Sequence, residues 1–176
     1  MRRFTWIFAF VLTAGALAAS TALAASVHFK KPAPTFTKNS DLSLTSSGQL
    51  AGLGNGDVLV TIQATGTGGA KCQNPGGNSK VPGQNPVAVN VSGSVFIPSS
   101  QLSNGNVPYT VSTVAPPVPS PEQAGCPNDS WSVVDFNVTY TSATITVFQD
   151  SNGQNGIFDA PGTQVLTQTF TFSPPK

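Results

Sequence analysis

Apolar residues recur at every second position along most of this chain, and that spacing belongs to strands with one face on a core. In Asp57 to Gly66 the shared face carries Val58, Val60, Ile62 and Ala64. From Val87 to about Ile97 it carries Val87, Val89, Val91 and Val95, and from Val107 to Val114 it carries Val107, Tyr109 and Val111. The strongest alternation opens at Trp131 and runs to Tyr140. It pauses at Thr141-Ser142, then continues through Ala143, Ile145 and Val147. A return strand spans 164–172. Leu42, Leu44, Leu50 and Leu53 fall into two short runs around Ser46-Ser47-Gly48, which reads as a hairpin.

Between these runs lie the turn formers. Residues 26–40 read as a lead-in arm or an edge strand, because Pro32 and Pro34 cannot donate to a central ladder. Pro108 places the 107–114 strand at an edge for the same reason. Gly66 to Pro86, rich in Gly-Gly, Asn-Pro and Pro-Gly, reads as a long, rigid, polar loop. A proline-rich stretch from Ala115 delivers Cys126. After the first 25 residues nothing shows a capped 3.6-residue period. About eight evenly spaced strands in some 150 residues predict an all-β fold, an antiparallel β-sandwich of Ig-like shape, with a closed barrel as the alternative.

The first 25 residues follow a different logic. Arg2-Arg3, an apolar run from Phe4 to Ala19 and an A-x-A exit at Ala22-Leu23-Ala24 have the layout of a secretory signal peptide. A spanning helix needs about 20 strongly apolar residues, and this run is alanine-rich and broken by Thr13, Gly15 and Ser20. The expectation is therefore a signal peptide at 1–25, a single exported domain at 26–176 and no membrane span after cleavage. The two arginines leave with the leader, so six lysines face seven acids at a net charge of −1. Without arginine or clustered lysine, nucleic acid is not an expected partner. Only 9% of the chain is charged, against about 25% in ordinary soluble domains. Thr, Ser, Asn, Gln and Gly hydrate the surface instead.

Export gives the two cysteines a meaning. An isolated pair, Cys72 and Cys126, in an oxidising compartment predicts one disulfide. Closing that loop stabilises the fold by roughly 4 kcal/mol through lost chain entropy. A metal site lacks ligands, since His28 in the arm is the sole histidine.

Several loop motifs occur together. They are A-G-L-G-N at 51–55, C-Q-N-P-G-G-N at 72–78, P-G-Q-N-P at 82–86, N-G-N-V-P-Y-T-V at 104–111 and C-P-N-D-S-W at 126–131. On these the chain resembles a group of small secreted microbial proteins without assigned function. The resemblance implies secretion and one compact domain. It carries no site residues across.

Candidate chemistry is sparse. A hydrolase needs a titratable base beside a nucleophile, or paired carboxylates. His28 sits in the arm, Glu122 is the lone glutamate, and Asp57 and Asp135 fall on outward strand faces. A glycosidase pair from Asp129 and Asp135 is not demanded by their spacing. The expectation is a non-enzymatic extracellular binding or envelope-associated module without a cofactor. Calcium is the one ion worth weighing: Asp150, Asn152, Gln154, Asn155 and Asp159 offer oxygens around glycines, though not in EF-hand register. An Asn/Gly hairpin tip explains the same residues. Thr139, Thr141, Thr144 and Thr146 face Thr167, Thr169 and Thr171 in a hydroxyl-rich sheet suited to a glycan, ice or a partner's edge. High strand propensity explains threonine equally. Trp131 and Tyr140 are assigned to the core, and Phe148 and Phe158 to exposed positions. Asn90, Asn128 and Asn137 stand in glycosylation sequons. The binding residues expected for an unknown extracellular partner or glycan are Asn74, Gly76, Gly77, Asn78 and Gln84, at one rigid loop end.

Overall fold

The computed structural model describes residues 26–150, 155–158 and 162–173. It is all-β, with two antiparallel sheets enclosing one core. The strands are β1 (His28–Phe29), β2 (Thr35–Lys38), β3 (Leu44–Ala51), β4 (Val58–Gln73), β5 (Lys80–Pro82), β6 (Val87–Ile97), β7 (Val107–Ser112), β8 (Ser132–Gln149) and β9 (Thr163–Thr171). In the smaller sheet β7 lies along one side of β3, while β1 and β2 share the other. In the larger sheet β5 and β6 follow one edge of β4, β8 the other, and β9 pairs outside β8.

The alternation holds along β4, β7 and the second half of β8. Val58, Val60, Ile62, Val107, Val111, Ile145 and Val147 point into the core with almost no exposure. Burying each such side chain contributes about 1.5–3 kcal/mol, so the two sheets are held mainly by this valine and isoleucine layer. Phe29, Phe36, Phe170 and Phe172 close the seam between β9 and the arm, with ring centroids 5.0–5.7 Å apart. The arm is thus an edge strand, interrupted around its two prolines. Cys72 and Cys126 form the expected disulfide, with Cα atoms 5.5 Å apart.

Several expectations are corrected. The 46–48 stretch is not a hairpin but the middle of β3. Ser46 is fully buried there because its hydroxyl meets the Tyr109 hydroxyl at 3.3 Å, and Gly48 leaves room for the same ring. The 66–73 stretch is not a loop. β4 continues through it, paired to β8 as far as Gln73. Its glycines make space rather than turns: a Cβ on Gly66 would strike the Thr139 carbonyl, and one on Gly68 the Phe136 ring. The pause at Thr141 is a bulge inside one long β8, opposite Thr65 and Gly66. Asp57 is not solvated but has no exposed surface. Phe148 and Phe158 are half-buried rather than exposed, and Trp131 is half-buried rather than part of the core.

Candidate functional site

The break between β5 and β6 creates the most distinctive surface of the protein. β6 pairs with β4 from Val58 to Gly68, and β5 from Lys71 to Gln73. Gly69 and Ala70 fall between these ladders, and on that edge the Gly83 N–H donates to the Ala70 carbonyl at 2.9 Å. Opposite, the β4–β8 register slips between Gly69 and Lys71, and Asp135 adopts a positive φ of 52°. The chain at 83–86 bows outward and is stapled to the proline-rich loop: Gln84 and Asn85 N–H groups donate to the Gly125 and Ala124 carbonyls at 3.3 and 3.2 Å. The disulfide anchors that loop at Cys126.

The result is an open trough of about 580 Å³ on the outer face of the larger sheet. Thr67, Gly69, Gln84, Asn85, Asp135 and Thr139 are among its lining residues. Gly69 is the key to its floor, since a Cβ there would meet no atom within 4 Å. At one end the Asp135 carboxylate lies 3.4 Å from Lys71 Nζ and 3.8 Å from Lys80 Nζ. All three side chains are about half exposed, so the cluster shapes the local charge more than it stabilises the fold.

Of the five binding residues expected from sequence, Gln84 lines this trough and the other four do not. Asn74, Gly76, Gly77 and Asn78 form the β4–β5 hairpin tip. There Asn74 Oδ1 accepts from the Asn78 and Ser79 N–H groups at 3.0 and 3.1 Å, and Gly77 takes φ 72°. Their residue types answer to the turn itself. Of the calcium candidates, Asp150 is buried, while Asn152 and Asp159 lie outside the described residues. Among the described residues, no three His, Cys, Asp or Glu side chains gather where a metal would bind.

The hydroxyl rows are present. Thr144 and Thr169 Oγ1 atoms lie 2.8 Å apart, Thr146 and Thr167 3.1 Å, and Thr65 and Ser142 2.7 Å. The bulge takes Thr141 out of this array and its hydroxyl donates to the Thr65 carbonyl, while Thr139 joins the trough. Sequence reasoning missed the trough's glycine floor and the Lys71–Asp135–Lys80 cluster. The signal was the glycine run itself, because glycine inside a strand marks a bulge or a close approach.

Asp57 was also missed. Its carboxylate accepts from the Ser99 N–H at 2.6 Å and the Gly156 N–H at 2.8 Å, tying the loop after β6 to the turn after β8. The Ser99 N–H in particular holds its carboxyl below the usual range, against the opposing effect of burial. Among the described residues, no helix is long and apolar enough to cross a membrane. No family model, curated protein or solved structure matches the chain.

Proposed function

We propose that the protein is exported by a cleaved leader at 1–25 and acts outside the cell as a non-enzymatic binding module on an Ig-like sandwich. Its ligand is a neutral glycan chain seated over Gly69. The observation that carries this reading is the bare glycine floor, set among the neutral polar side chains of Thr67, Gln84, Asn85 and Thr139, with Lys71 and Asp135 at one end. Sugar hydroxyls donate and accept at once, and so do the amides of Gln84 and Asn85 and the hydroxyls of Thr67 and Thr139. The trough is open along the sheet face, which suits a polymer segment better than a small molecule enclosed on all sides. Two lysines against one carboxylate leave too little charge to select an acidic polymer.

The test is a panel of insoluble and soluble neutral polysaccharides in pull-down and calorimetry, with Gly69→Val as the blocking variant. A Cβ at that position meets no atom within 4 Å and valine suits a strand, so folding is expected to be retained. Retention of a neutral polysaccharide by the native protein, lost at least tenfold in Gly69→Val at unchanged Tm, is the expected result. No retention across the panel, or equal retention by the variant, overturns the reading.

A further inference from the structure

The larger sheet ends in β9, and among the described residues nothing pairs along its outer edge. The Phe172 N–H donates to the Thr141 carbonyl on β8, and the ladder continues in single steps from Thr171 to Leu166. In an antiparallel ladder alternate residues turn both N–H and C=O to the same neighbour. The peptide groups of Phe172, Phe170 and Gln168 therefore face β8, and those of Thr171, Thr169 and Thr167 face away. Nothing pairs with β9 on that side among the described residues. A hollow of about 250 Å³, whose lining includes Phe29, Lys30, Lys31, Pro34, Leu166 and Phe170, lies between it and the arm.

Every other edge carries a device that discourages pairing. The arm has Lys30, Lys31, Pro32, Pro34 and Lys38, β5 has Lys80 and Pro82, and β7 has Pro108. β6 is covered where the Val114 N–H donates to the Ser92 carbonyl and the Ser112 carbonyl closes on Gly93. Lysine, proline and cover are the usual guards of sheet edges. β9 itself has neither lysine nor proline: T-Q-V-L-T-Q-T-F-T holds no charge.

We infer that β9 pairs with β9 of a second copy, antiparallel about a twofold axis at Thr169. The sequence favours this occupant because the outward set is self-complementary. With Thr169 opposite Thr169, Thr167 falls opposite Thr171 and every outward peptide group meets an outward partner, giving about six hydrogen bonds. The side chains of β9 itself carry no charge and so set no like charges against each other. The hydroxyl rows of Thr167, Thr169 and Thr171 then run on into those of the second copy. Two five-stranded sheets become one of ten strands. The contact is small, so the dimer forms with rising concentration rather than permanently.

Sedimentation velocity from micromolar to millimolar protein reads the association directly. The native protein is expected to shift toward twice the monomer mass, and Thr169→Lys, which sets two ammonium groups against each other at the axis, to stay monomeric at unchanged Tm. A second variant fixes the register. Facing residues of a narrow pair have Cα atoms about 5.5 Å apart, within disulfide range, so Thr169→Cys crosslinks two copies on oxidation while Thr110→Cys on β7 does not. A native protein that remains monomeric throughout, a dimer that survives Thr169→Lys, or equal crosslinking at both positions overturns the inference.

Discussion

Asp57 offers the sharpest test of how the fold is held. Its side chain is a buried acceptor for two backbone donors from different loops, Ser99 at 2.6 Å and Gly156 at 2.8 Å. Its own carbonyl accepts from the Asp150 N–H at 2.8 Å. A hydrogen bond to a charged group contributes about 1.5–3 kcal/mol, and a donor left unmet costs a similar amount unless water reaches it. The turn at Gly156 is exposed, so water replaces that partner more readily than it does at Ser99. Asp57→Ala is thus expected to cost about 3 kcal/mol, or about 10 °C in Tm for a domain of this size. Asp57→Asn keeps one acceptor oxygen and loses about half as much.

The pH dependence separates this mechanism from simple packing. The folded pKa of Asp57 lies below its unfolded value of about 3.9, chiefly because of the Ser99 N–H. A depressed carboxylate contributes stability above the unfolded pKa and loses it as pH falls through the folded one. The difference between native and Asp57→Asn proteins in urea melts should therefore hold from neutrality to about pH 4 and shrink below that. Asp41 is also depressed, by the Ser43 hydroxyl and then the Ser43 N–H, but it is common to both proteins and cancels in the difference. A variant within about 0.5 kcal/mol of native at neutral pH would refute the argument, because surface substitutions give changes of that size without any such role.

Three further outcomes follow from the same geometry. Removing the crosslink by Cys72→Ser with Cys126→Ser opens a loop of 54 residues and should cost about 4 kcal/mol, read as the gap between urea midpoints and matched by reduction of the native protein. Gly93→Ala should destabilise by about 2 kcal/mol or more by thermal melt, since its Cβ would collide with the Ser112 carbonyl where β6 meets β7. In the same melt Gly69→Val should be neutral. Equal effects at the two glycines would mean that the close approach does not matter.

The strand layer was legible because its physics is local. Val58, Val60 and Ile62 alternate, and alternation maps directly onto one face of a sheet. The disulfide and the edge character of the arm likewise need only residue types and their order. What sequence could not supply was contact between distant segments. Gly66 and Gly68 resemble part of a turn when read in series, yet each is dictated by a close approach, of Thr139 and Phe136 respectively, some 70 positions later. Ser46 and Ser47 look like loop residues until Tyr109 and Thr110 are placed opposite them. Asp57 follows the outward rhythm of no strand because it sits at the start of one, where loops converge on it.

The candidate site failed to appear in sequence for a related reason. Asn74, Gly76, Gly77 and Asn78 stood out through unusual residue types, but unusual types are needed wherever a chain reverses tightly, and this tip uses them on itself. The trough has a quieter origin. It exists because β5 and β6 leave a gap on one edge of β4, because Ala70 and Asp135 absorb a register slip, and because Gly69 contributes no side chain. None of these is visible until the ladders are drawn. A tight turn explains its glycines through backbone angle alone. Gly69, with neither a positive φ nor any neighbour within reach of a Cβ, is explained by neither angle nor crowding. That absence of a folding reason is what directs attention to a ligand there.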